Sequence, residues 1–258
     1  MTLELQIDVL TVLLLFTFGF LGAFLNAIVG GGGLITLPAL LFVGLPPATA
    51  IATNKLAASM GNLTSMLTFL RAGKIDFKLL GPILPLVFLG SMLGAYTVHF
   101  MSADLLKPLV LIMLIVVLLY TVYKKDFGGI AAPKVMTVKH KLLFFVTLIA
   151  IGFYDGFLGP GTGSFIIFAF LLMGFDFLQS SGNAKLLNFM SNIAALITFL
   201  ILGTVNFTYG FIMGFAMILG AFFGTRFALQ RGTTYVRILF IIMTSILLTK
   251  NIYDFFTQ

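Results

Sequence analysis

The chain has 258 residues, 60% of them hydrophobic and 9% charged, and its mean hydropathy is +1.15, far outside the composition of soluble domains. The absence of cysteine excludes disulfides and thiolate or redox centres, and two histidines, His99 and His140, are too few for a zinc or di-metal site, so neither metal nor cofactor is expected. The net charge of +7 falls mostly in short loops between apolar runs, which is the positive-inside pattern of a membrane protein and not a nucleic-acid face.

The N-terminus lacks a basic n-region and no small-residue cleavage site follows, so no removable signal peptide is expected. The first apolar run, Val9–Val29, ends in four glycines, Gly30, Gly31, Gly32 and Gly33, each costing a helix about 1 kcal/mol against alanine. The helix should break there. Unpaired backbone groups in hydrocarbon cost several kcal/mol each unless buried in protein or lining a cavity, so a break at this depth points to a site. Residues 34–43, with Pro38, would rise only ~15 Å as helix, which suits a half-helix. Residues 51–70 form the next run and carry Asn54, Lys55 and Asn62, followed by a basic loop from Arg71 to Lys78. Residues 79–98 and 105–123 read as a helical hairpin around a polar turn, and 124–141 is the long hydrophilic connection. Alternating segments of ~10 residues, the mark of a membrane β-barrel, do not occur, so the chain is expected to be an all-α polytopic membrane protein.

The pattern then restarts. Adding 130 to a residue number carries Lys55 onto Lys185, Met60 onto Met190, Asn62 onto Asn192, Gly90 onto Gly220, Gly94 onto Gly224 and Tyr123 onto Tyr253. Ahead of the lysines an offset of 129 places Asn26 on Asp155 and Gly30 on Gly159, so the stretch from Asp155 to Gly163 is a second glycine break. Two transmembrane repeats follow, 1–128 and 140–258, joined by a basic cytoplasmic linker over 129–139. The loops at 71–78 and 201–208 are repeat equivalents, yet the first is basic and the second uncharged; Arg226, Arg231 and Arg237 mark the loop beyond. By the positive-inside rule they face opposite sides, which makes the repeats inverted in topology, with broken or re-entrant helices, and puts both termini outside. Three crossings per repeat with a re-entrant hairpin and five with one short span both fit.

Inverted repeats with paired broken helices build secondary transporters whose substrate sites lie near the membrane midplane. Half-helix N-termini attract anions, and a glycine run lets an oxyanion approach the backbone. Lys55 and Lys185 either snorkel from helix ends or, recurring at both repeat positions, supply the site's positive charge. Asn26, Asn54, Asn62, Asn183, Asn188 and Asn192 would give neutral hydrogen bonds or serve as interhelical glue, and Gly159, Gly161, Thr162 and Gly163 would present the second loop's backbone. Asp155 stands where the first half has Asn26, and low dielectric disfavours a charged carboxyl, so it is the proton-relay candidate or else a structural cap paired with Lys185 or with backbone amides. Gly90/Gly94 and Gly220/Gly224 are explained by close helix packing. Neither glycine cluster has the spacing of a nucleotide loop, and no nucleophile with an adjacent base is present, so an enzyme is not expected.

The stretch Gly22-Ala-Phe-Leu-Asn-Ala-Ile-Val-Gly-Gly-Gly-Gly-Leu-Ile-Thr-Leu-Pro38 with Ala52-Thr-Asn-Lys-Leu56 resembles the first-half signature of the TauE/SafE sulfite exporter family. Gly152-Phe-Tyr-Asp-Gly-Phe-Leu-Gly-Pro-Gly-Thr-Gly-Ser164 with Asn183-Ala-Lys-Leu-Leu-Asn188 is similar to its second-half counterpart. The resemblance covers essentially the whole chain. It implies a multi-pass inner-membrane permease for small sulfur-containing anions such as sulfite or organosulfonates, coupled to protons. The expected function is therefore a secondary transporter of a small inorganic or organic anion working by alternating access. An anion channel and a non-transporting membrane assembly protein are the alternatives. The expected partners are the anion, protons, the lipid bilayer and further copies of the chain, with no nucleic acid.

Overall fold

The computed structural model describes residues 8–123, 137–230 and 249. Most of the basic connection, residues 124–136, lies outside the described residues, as do Arg231, Arg237, Tyr253 and residues 1–7. The elements in order are α1 (Val9–Val29), α2 (Gly33–Phe42), α3 (Pro47–Arg71), α4 (Phe77–Leu80), α5 (Leu84–His99), α6 (Ala103–Tyr123), α7 (Val138–Phe157), α8 (Thr162–Leu172), α9 (Phe177–Ile201) and α10 (Phe207–Gln230). The described residues are all-α. Among the described residues four helices, α1, α7, α9 and α10, are long and apolar enough to cross a membrane.

Both glycine runs interrupt helices. α1 stops because Gly30 turns into the left-handed region at φ 84°, and its N–H bonds back to the Asn26 carbonyl at 3.0 Å. In the second run Gly159 and Gly161 take φ 93° and 79°, and α8 starts at Thr162. The helices that follow the breaks have 10 and 11 residues, a rise of roughly 15–17 Å, which is about half a hydrocarbon core. Asp176 caps α9 by accepting from the Gln179 N–H at 2.8 Å.

Three expectations need correction. The run 79–98 is not one helix: α4 stops at Leu80, and α5 starts at Leu84 after a turn holding Pro82. Proline lacks the N–H a helix interior needs, so the chain bends there. Nor do α5 and α6 form a packed hairpin; α5 lies chiefly on α7 and α9, whereas α6 lies on α3 and α2. Arg226, read as a loop residue, sits inside α10 with its guanidinium 4.0 Å from the Phe222 ring centre.

The strongest packing is α1 on α10, α10 on α3, α5 on α7, α3 on α9 and α5 on α9. Glycine lets these backbones touch: a Cβ on Gly94 would sit 2.0 Å from the Phe153 carbonyl oxygen, and one on Gly220 would sit 2.1 Å from that of Phe20. α3 and α9, each of 25 residues, lie at the centre and bury the polar side chains, while residues such as Leu89, Leu93, Ile112, Phe215 and Phe223 point outward, as lipid requires.

Candidate functional site

The two helix breaks touch one another. The Ser164 N–H donates to the Gly30 carbonyl at 3.0 Å, and the Ser164 hydroxyl donates to the Val29 carbonyl at 2.7 Å. Any side chain at position 30 would need a left-handed φ and would place its Cβ 2.3 Å from the carbonyl carbon of Gly163, so this position requires glycine twice over. Carbonyls freed at the end of α1 are thereby satisfied by residues that open α8.

Lys55 and Lys185 do not snorkel, for their relative exposures are 1% and 0%. Lys55, on α3, donates to the backbone carbonyl of Asp155 and forms an ion pair with Asp155 Oδ1 at 2.9 Å. Lys185, on α9, donates to the backbone carbonyl of Asn26. Asp155 and Asn26 lie at the C-terminal ends of α7 and α1, where the helix dipole is negative. Each lysine therefore caps the broken helix of the other half of the chain. Asp155 takes Lys55 as partner, not Lys185. Gly159 makes the approach possible, because a Cβ there would lie 2.6 Å from Lys55 Nζ.

The side chains at the breaks also bond within their own halves. Asn26 Nδ2 donates to Asn62 Oδ1 at 3.0 Å, and the Gly32 N–H donates to Asn26 Oδ1 at 3.4 Å. In the second half Asn192 Nδ2 donates to Asp155 Oδ2 at 3.1 Å, and the Ser191 hydroxyl donates to the same oxygen. Ser191 was invisible to motif reasoning. The repeat register carried its signal, since position 191 minus 130 is Gly61, so Asp155 and the serine that serves it depart from the first half together.

Between the breaks lies a cavity with about 30 Å³ of space for the centre of a water molecule, enough for water or a very small solute. Asn26, Gly30, Gly32 and Gly33 line it from the first break, with Asn54, Lys55 and Asn62 from α3. Asp155, Gly159, Gly161, Thr162 and Gly163 line it from the second break, with Asn188 and Asn192 from α9. Thr36, Ala58 and Met217, not singled out from the sequence, complete the wall. Gly31 and Lys185 stand outside the lining; the Gly31 carbonyl accepts from the Leu34 N–H, and Lys185 reaches the site through Asn26. The side-chain oxygens of Asn54 and Asn188 are buried without a donor, so the polar lining is not complete in itself.

Basic groups outnumber acidic ones at the centre. Lys55–Asp155 is the one ion pair among the described residues, which leaves the buried Lys185 without a carboxylate. An uncompensated buried cation is costly by several kcal/mol, and such groups inside membrane helices generally mark ion pathways.

Residues 15–250 match the family model described as Sulfite exporter TauE/SafE. The chain belongs to the TauE/SafE sulfite exporter family. It is 37% identical over 253 residues to a "Probable membrane transporter protein" of Haemophilus influenzae, covering 98% of each chain. It is 37% identical over 244 residues to "Probable membrane transporter protein YfcA" of Escherichia coli K12, covering 93% of this chain and 89% of that one. A Sinorhizobium relative, "Probable membrane transporter protein ORF9", is 36% identical over 242 residues, covering 93% and 92%. No solved structure matches the chain. A membrane transporter role is thus the family's.

Proposed function

We propose that the protein is a secondary transporter for a small sulfur-containing or organic anion, such as sulfite or a small sulfonate, coupled to protons. The observation that carries the reading is the buried Lys185, which has no carboxylate partner and lies one hydrogen bond from a polar cavity. Lys55, Lys185 and Asp155 together leave one positive charge, which an anion would neutralise. Protonation of Asp155 would release Lys55 from its counter-ion and add a second free cation, so proton and anion binding would favour each other. Because each lysine caps the broken helix of the opposite half, exchange of those contacts offers a route by which inverted halves alternate access. On this reading the protein sits in the inner membrane with both termini outside.

The test is flux into proteoliposomes of sulfite, sulfate, sulfoacetate, thiosulfate and carboxylates, under an imposed pH gradient. Saturable uptake that follows the pH gradient is expected for at least one of them, with at least ~100-fold loss in Lys185→Met, equivalent to about 2.7 kcal/mol. Ohmic current in place of saturable flux would make the protein a channel, and full uptake by Lys185→Met would remove the charge assignment. Asp155→Asn should retain downhill anion flux but lose the pH drive.

A further inference from the structure

Away from the central site, a larger cavity of about 310 Å³ opens between the α3–α4 loop and the first turns of α9. Lys74 and Asp76 line it from the loop, Lys78 from α4, and Gln179 and Asn183 from α9. Asp76 is occupied, its carboxylate accepting from the Leu79 N–H at 3.1 Å. Lys74 and Lys78 make no ion pair among the described residues. The loop is pressed onto α9, for a Cβ on Gly182 would lie 2.3 Å from the Lys74 carbonyl oxygen.

Asn183 decides what the cavity is for. It is fully buried, and its Oδ1 accepts from the Asp76 N–H at 2.8 Å; because that partner is a donor, the orientation of the amide is fixed. Its Nδ2 is buried with no acceptor. The same position in the other half, 183 minus 130, is Thr53, whose hydroxyl accepts from the Asn206 N–H at 3.0 Å. A threonine therefore suffices to anchor the loop. What asparagine adds is an extra donor, on a residue that lines a cavity with two unpaired lysines, and the loop at 203–208 in the other half has no lysine. An unsatisfied buried donor costs about 1–3 kcal/mol, which an acceptor in the cavity would recover.

We propose that this cavity is a second anion-binding station, taking a small oxyanion on the Asn183 amide and the Lys74 and Lys78 ammonium groups. It gives the α3–α4 loop an anion-collecting mouth that the loop at 203–208 lacks, and it stands whether or not the central site transports. The same chemistry would accept an oxyanion from solution or the phosphate of an anionic lipid headgroup.

The chain has no tryptophan, so Phe77→Trp places a unique fluorophore on the cavity wall at a position 48% exposed. Sulfate titrated at constant ionic strength into this protein in phosphatidylcholine nanodiscs should change its emission saturably. Adding Asn183→Thr, which keeps the loop anchor, or Lys74→Gln with Lys78→Gln, should raise half-saturation at least ten-fold. Adding Lys185→Met should leave the titration in place, which separates this station from the central site. A response in phosphatidylcholine that is lost in phosphatidylglycerol nanodiscs assigns the station to a lipid phosphate, and equal responses assign it to dissolved oxyanions. No saturable response in either membrane, or one that Asn183→Thr leaves unchanged, overturns the proposal.

Discussion

The two helix breaks share a scaffold and differ in charge. At the first, Asn26 is neutral, bonds Asn62 and gives its backbone carbonyl to Lys185. At the second, Asp155 is an acid, bonds Asn192 and gives both its carbonyl and its carboxylate to Lys55. The geometry is common to both, so the helix ends, the crossed lysines and the asparagines belong to the architecture. The charge is not common, and it divides two otherwise equivalent lysines into one that is neutralised and one that is not. Two breaks built alike thus carry different charge.

Removing one partner at the second break should do the most damage. Asp155→Ala leaves Lys55 buried and unpaired, so stability should fall by about 3–5 kcal/mol. Adding Lys55→Met should restore most of that loss, read as thermal unfolding in detergent; a double variant as unstable as the single would mean that the ion pair is not the cause. Lys185→Met should move the other way. It removes an uncompensated charge in favour of an apolar side chain of similar length, so stability should hold or rise by up to about 3 kcal/mol while anion-dependent stabilisation disappears. If both lysine variants destabilise equally, the division between the two breaks fails.

Much of this division was legible in the residues. The glycine runs forecast both helix interruptions because glycine's backbone cost is local, and the repeat register found Lys55/Lys185 and Asn26/Asp155 because each pair sits at one offset. The partner of Asp155 was not legible. Lys55 lies 100 positions away and Lys185 only 30, and proximity along the chain favoured the wrong lysine; the choice depends on how α3 and α9 cross. The split of 79–98 into α4 and α5 could have been read from Pro82, but composition alone made the run look continuous. The separation of α5 from α6 had no local signal, since a short turn joins packed and diverging helices alike.

Glycine substitutions sharpen the comparison at intermediate cost. Gly30→Ala and Gly159→Ala both force a side chain into left-handed backbone and against a neighbour, so each should cost about 1–3 kcal/mol. Only Gly159→Ala presses on Lys55 Nζ and should also alter the pH dependence of flux. Gly44→Ala, with φ 88° but open space around it, should cost about 1 kcal/mol and leave flux unchanged.

The smallest effect concerns the N-termini of the helices that lead to the breaks. Asp8 caps α1 by accepting from the Thr11 N–H at 2.7 Å, and at its equivalent under the 129 offset Thr137 caps α7 by accepting from the His140 N–H at 3.4 Å. The bonds from Thr11 favour the ionised carboxylate and hold Asp8 below its ordinary 3.8. A carboxyl lowered on folding stabilises the folded state above its unfolded value, and the contribution fades as pH falls through the lowered one. Acidification below pH 3.8 should therefore loosen the first turn of α1, seen as faster hydrogen exchange at Thr11 relative to the intrinsic rate. Asp8→Ala should show that loosening at every pH, and Thr137→Ala should loosen α7 without touching α1. Should the Asp8 carboxyl titrate at or above its ordinary value, the cap would not distinguish the two helices, and the contrast between the halves would begin only at their breaks.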